Sequence, residues 1–147
     1  MIEIICGEKG KGKTKVLLDK VNSSVATAAG NVVYLDKSQK HMYELNNKVR
    51  LINVIDYPVT NCDEFLGFIC GIVSQDHDLE EMYLDSFLTI AVIDSDADIV
   101  KSIEKLDINK KKYKVRFILS VSKNKEDYSQ NGIIHLNIFK FLMDDEF

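Results

Sequence analysis

The sequence predicts an α/β domain, a three-layer sandwich with helices on both faces of a mainly parallel sheet of five or six strands. Three observations carry this. Short β-branched apolar runs alternate with longer amphipathic stretches along the 147-residue chain, the pattern of strand–helix–strand crossovers. Nothing interrupts the alternation: there is one proline, Pro58, and no Gly/Ser-rich linker or repeat, so one domain over residues 1–147 is expected. The first apolar run also feeds a glycine- and lysine-rich octet, GEKGKGKT at 7–14, which leads directly into an amphipathic helix.

IEIIC at 2–6 is a buried-strand run. After the octet, Leu17, Val21 and Val25 recur at helical spacing, so a helix is expected over 13–26. NVVYLD at 31–36 is a second strand, and SQKHMYELNN at 38–47 is expected to be helical from a potential cap at Ser38. A third strand spans 49–55, and a helix follows over 62–76 with Asn61 or Asp63 at its cap. Within that helix the Gly67–Gly71 spacing suggests close packing on the sheet. EMYLD at 81–85 is a short fourth strand. SFLTIAVI at 86–93 is ambiguous and is read as mostly helical, because a crossover must follow. DADIVKSIEKLDIN at 96–109 is a clear helix, YKVRFILSVS at 113–122 a fifth strand and GIIHL at 132–136 a sixth. The tail from 137 is expected to close the domain as a short helix or an edge strand.

The bulk numbers exclude several classes. A net charge of −4 argues against a dedicated nucleic-acid binder. The three cysteines, Cys6, Cys62 and Cys70, form no C-x-x-C pair, which points to reduced thiols in the cytoplasm rather than a disulfide framework or zinc site. The longest apolar runs fall well short of the ~20 residues of a spanning helix, so no membrane partner is expected. A first strand starting at Met1 or Ile2 leaves no room for a targeting leader.

The octet reads as Gly7-x4-Gly12-Lys13-Thr14, the pattern G-x-x-x-x-G-K-[ST]. Glycines let successive backbone N–H groups turn inward around a phosphate, Lys13 adds a point charge and Thr14 a hydroxyl for Mg²⁺. The helix beginning at Lys13 aims its positive end at the same anion. The expected nucleotide-binding stretch is therefore Gly7, Glu8, Lys9, Gly10, Lys11, Gly12, Lys13, Thr14 and Lys15. Residue frequencies alone give such a pattern in about one chain in a few hundred; its place between a buried strand and a helix narrows it further.

On these residues the chain resembles the P-loop NTPases: residues 2–26 are similar to their strand–loop–helix, and the alternating pattern extends the likeness over the whole chain. The resemblance implies binding of ATP or GTP with Mg²⁺. Glu8, five residues before Lys13, stands where the MinD-like group has a signature lysine, so that branch is set aside. The RecA-like branch, the core of motor and twitching-motility ATPases, is the nearer likeness. It implies a strand order with another strand between the loop strand and the metal-carboxylate strand.

The resemblance also implies an Asp at a strand end that holds Mg²⁺. Asp85, ending EMYLD, is preferred over Asp94, which ends IAVID but opens the cap-like DSDAD. Thr14 and Asp85 are thus the expected metal residues. Asp36, ending VVYLD, matches the position of the RecA-like water-positioning acid, although Asp is shorter than the usual Glu. Lys13, Asp36 and Asp85 form the expected catalytic set. Ser120 and Ser122 stand where a γ-phosphate sensor would lie, and Arg50 and Arg116 are the only arginines. Asn124-Lys125-x-Asp127 fits the guanine-specificity motif N-K-x-D, but the accompanying D-x-x-G is missing.

The leading expectation is an Mg²⁺-dependent ATP-binding protein with slow or partner-stimulated ATPase activity, acting on a protein partner or as a homo-oligomer. A small-molecule or nucleotide kinase is an alternative, weakened by too few arginines for a lid. The others are a non-catalytic nucleotide-sensing module and a GTP-binding protein using Asn124, Lys125 and Asp127.

Overall fold

The computed structural model describes residues 2–8, 10, 12–122 and 139–142, the last as backbone. The strands are β1 (Ile2–Cys6), β2 (Asn31–Asp36), β3 (Val49–Asn53), β4 (Leu79–Leu84), β5 (Arg116–Val121) and β6 (Phe139–Leu142). The helices are α1 (Lys13–Val25), α2 (Cys62–Gln75), the single turn α3 (Phe87–Ile90) and α4 (Asp96–Tyr113). The sheet order is β3-β2-β4-β5-β1-β6, and every pairing is parallel. β5 therefore lies between β1 and β4, the order expected above.

Strand alternation sends successive side chains to opposite faces. Ile2, Ile4, Cys6, Val33, Leu35, Met82, Leu84, Phe117 and Leu119 point to one face, which α2, α3 and α4 cover. Ile5, Val32, Tyr34, Tyr83 and Ile118 point to the other, covered by Leu17, Leu18, Val21 and Val25 of α1. This is the three-layer α/β sandwich. The α1 face is polar at both ends. Glu3, Glu81 and Arg116 meet where the strands begin, with Arg116 bonded to Glu81 (2.7 Å) and Glu3 (2.8 Å). Asp36, Asp85 and Ser120 meet where the strands end.

Several boundaries differ from expectation. Residues 38–47 form no helix, only a 3-10 turn at Met42–Glu44. Tyr43 is 92 % exposed, so the segment has no apolar stripe to bury. Polar bonds hold it instead: Asn22 of α1 donates to the Glu44 carbonyl and accepts from the Asn46 N–H, both at 2.8 Å. Helix in 86–93 is confined to α3, because Ser86 (φ 53°) and Val92 (φ 52°) are left-handed on either side of it. β3 stops at Asn53, followed by a second 3-10 turn at Val54–Asp56. β4 starts at Leu79 rather than Glu81, and Arg116 neutralises the Glu81 carboxylate inside the sheet. The lysine run extends α4 to Tyr113, where Lys110, Lys111 and Lys112 suit the negative helix end. Gly67 and Gly71 face open space, not the sheet. The tail is an edge strand, β6, on β1. The expected strand at 132–136 lies outside the described residues.

Candidate functional site

The glycine loop bends through two left-handed residues, Gly10 (φ 89°) and Gly12 (φ 83°). A Cβ would meet nothing within 4 Å at either position, so backbone conformation, not space, is what calls for glycine there. Gly12 caps α1 without any side-chain hydrogen bond, and the first turn carries no acid. In contrast, α2 is capped by Asn61 and α4 by Ser95, each with two acids in its first turn. The start of α1 thus has neither a side-chain cap nor an acid in its first turn, unlike those of α2 and α4. Lys13 is buried, and its Nζ donates to the Glu8 carbonyl at 2.8 Å, closing the loop across its base.

Asp85 follows β4 directly and is 2 % exposed. Its Oδ1 accepts from Thr14 Oγ1 (3.3 Å), the Ser86 N–H (2.8 Å) and Ser120 Oγ (2.6 Å). Its Oδ2 accepts from the Tyr34 hydroxyl at 2.8 Å. Loop, helix start and carboxylate therefore converge, although Thr14 and Asp85 are 71 residues apart in sequence. They share a cavity of about 460 Å³ lined by Gly10, Gly12, Lys13, Thr14, Lys37, Asp85, Ser86, Leu88, Thr89, Ser120 and Ser122.

The expected residues do not all reach that cavity. Gly7 is occupied in extending the sheet, its N–H donating to the Val121 carbonyl at 3.3 Å. Glu8 contributes its carbonyl to Lys13, and Lys15 is exposed away from the lining. Lys9 and Lys11 lie outside the described residues, as do Asn124, Lys125 and Asp127. Asp94 is exposed in the turn before α4, its N–H bonded to Asp98 Oδ2 at 3.1 Å. Ser120 lines the cavity but is engaged with Asp85 and the Ser86 N–H. Arg116 is held by Glu3 and Glu81 at the opposite end of the strands, and Arg50 on the edge strand pairs with Asp76 at 3.7 Å. Neither arginine lines the cavity.

Asp36 sits one strand over from Asp85, buried behind the cavity rather than lining it. Its Oδ1 accepts the Lys37 N–H at 2.7 Å, while Oδ2 is buried without a hydrogen-bond partner among the described residues. Burial pushes this carboxyl above the usual carboxylate range, the Lys37 N–H opposes the shift and the nearby Asp85 charge adds to it.

Sequence reasoning missed Tyr34 and Lys37. Tyr34 was legible in principle: it stands two residues before Asp36 on the same strand face, and a buried phenol demands an acceptor. Lys37 carries no comparable signal.

The donor set is of the oxygen type that hard divalent cations take. Among the described residues no three His, Cys, Asp or Glu gather as an all-protein cage. One carboxylate and one hydroxyl beside a cationic loop match Mg²⁺, which is usually held by one or two carboxylates together with substrate phosphates. Among the described residues no helix is long and apolar enough to cross a membrane. Set against known proteins, the chain matches no protein-family model, and no curated protein sequence matches it significantly.

Proposed function

We propose that this chain is a cytoplasmic Mg²⁺-dependent ATP-binding protein of the P-loop NTPase type, with slow or partner-stimulated hydrolysis. The observation that carries the proposal is the Thr14–Asp85 hydrogen bond beneath a two-glycine loop, at the uncapped start of α1. Lys13 and the loop amides neutralise phosphate charge, and Thr14 with Asp85 holds the cation. Bound Mg²⁺ would offset the charge that develops on the phosphoryl oxygens. Asp36 is buried and does not line the cavity, so the water-orienting role expected from its strand-end position is not part of the proposal.

β5 lying between β1 and β4 favours the RecA-like reading over the kinase one. So does the engagement of both arginines away from the cavity, which leaves no arginine for a lid among the described residues. The same engagement favours slow intrinsic hydrolysis, with a protein partner or second copy supplying any further cation. Thermal shift with ATP and GTP, each with and without Mg²⁺, tests the proposal. A Mg²⁺-dependent rise in melting temperature that Lys13→Ala abolishes is expected. No shift with either nucleotide contradicts it, and a shift with GTP alone moves the assignment to the guanine reading.

A further inference from the structure

We propose that Tyr34 is a positioning residue of this site: its hydroxyl, donated to Asp85 Oδ2, fixes the plane of the carboxylate so that Oδ1 faces Thr14 and the cation. The inference rests on the nucleotide and Mg²⁺ reading above.

The two oxygens of Asp85 keep different company. All three donors to Oδ1, from Thr14, Ser86 and Ser120, belong to residues that line the cavity. A cation seated between Thr14 and Asp85 would replace the bond from Thr14. The donor to Oδ2 comes from the interior, from a residue that does not line the cavity and is 0 % exposed. Among the described residues it is the one donor to Asp85 that comes from a residue outside the cavity lining. The anchor matters because the terminal torsion of an aspartate is broad and two-fold. Hydrogen bonds, not a rotamer well, set its plane.

Tyr34 is itself held firmly. It projects from the middle of β2 onto the α1 face, and its ring lies nearly parallel to that of Tyr83 on β4, 6.2 Å between centroids and 16° between planes. The Tyr83 hydroxyl in turn donates to Glu81 at 3.2 Å, a carboxylate fixed by Arg116. An ionised carboxylate can only accept, so the phenol is the donor in this bond. Partners of metal ligands of this kind are worth roughly 10–100-fold in metal affinity.

The test titrates Mg²⁺ into the full chain in the presence of AMP-PNP, a non-hydrolysable ATP analogue, and measures analogue affinity separately in EDTA. Tyr34→Phe keeps the ring and its packing on Tyr83, and circular dichroism checks the fold. The Mg²⁺ midpoint is expected to rise by roughly tenfold, the low end of that range, while affinity in EDTA stays within about twofold of wild type. In an Asp85→Asn background the same change is expected to move the midpoint no further, since Tyr34 acts through that carboxylate. An unchanged midpoint, an equal loss in both arms, or a full additional loss in the Asp85→Asn background overturns the inference while leaving the nucleotide reading standing. A wild-type chain that binds no analogue in either arm overturns both.

Discussion

Cutting the Tyr34–Asp85 hydrogen bond from each end, and then from both, measures how strongly the interior grips the site carboxylate. Tyr34→Phe leaves Oδ2 of a carboxylate that is 2 % exposed without a donor. Asp85→Ala leaves a phenol that is 0 % exposed without an acceptor. Orphaning a buried polar group costs about 1–3 kcal/mol. Among the other donors, the Ser86 N–H keeps its 2.8 Å bond to Ser120 Oγ and Thr14 borders the cavity, while the buried Ser120 hydroxyl also loses its acceptor. The cost of Asp85→Ala is thus shared between the phenol and Ser120. The double variant removes donor and acceptor together, so it should be less destabilised than the sum of the singles by about 1–2 kcal/mol. Urea denaturation reads this directly, since a slope of ~1–3 kcal/mol per M turns 2 kcal/mol into a midpoint shift of about 1 M. Additivity within about 0.5 kcal/mol would refute the reasoning, because the two groups would then not be bonded as described.

Asp36→Asn should stabilise the protein in a pH-dependent way. The carboxyl is raised by burial, so between the usual carboxylate value and the folded value the native state binds more protons than the unfolded one. Stability falls as pH rises through that window, so the gain from Asn should be absent well below it and full above it; a pH-independent melting difference would count against the assignment. Gly30→Ala should cost about 1–3 kcal/mol from overpacking, because its Cβ would collide with the Asp78 carbonyl; a neutral urea midpoint would contradict the tight β2–β4 approach there. Glu81→Ala strips Arg116, Ser24 and Tyr83 of a shared acceptor; Arg116 is half-exposed and keeps Glu3, so the expected cost is about 1–3 kcal/mol, that of orphaning the buried Tyr83 hydroxyl. Calorimetry showing an unchanged melting temperature would dismiss that network.

The sheet was legible in the sequence because each strand carries its own signal. NVVYLD is buried along nearly its whole length and was bounded correctly, and the octet was placed between strand and helix by the same local chemistry. Residues 38–47 misled because Ser38 resembles a helix cap, while the segment's actual constraints are long-range bonds to Asn22. The start of β4 was obscured because Leu79 and Glu80 close an acidic run that reads as loop, and the Glu80 carboxylate is tied to the Gly30 N–H, 50 residues away. Asp85, preferred over Asp94 from the sequence, lines the cavity where Asp94 does not, yet its surroundings were beyond local reading. Its donors come from α1, β2 and β5, and nothing in any one of those segments announces the others. Asp36 was identified from its strand-end position, but its burial behind Lys37 depends on how β2 and β4 pack, which periodicity does not encode.

The most direct test of the account is isothermal titration of Mg²⁺·ATP into the wild-type chain and into Lys13→Ala. Loss of a charge-assisted contact worth about 1.5–3 kcal/mol corresponds to roughly 10–150-fold in affinity. Saturable binding that depends on Mg²⁺ and weakens by at least about tenfold in Lys13→Ala is the predicted result. Absence of binding to the wild-type chain, or equal affinity for both proteins, would contradict it.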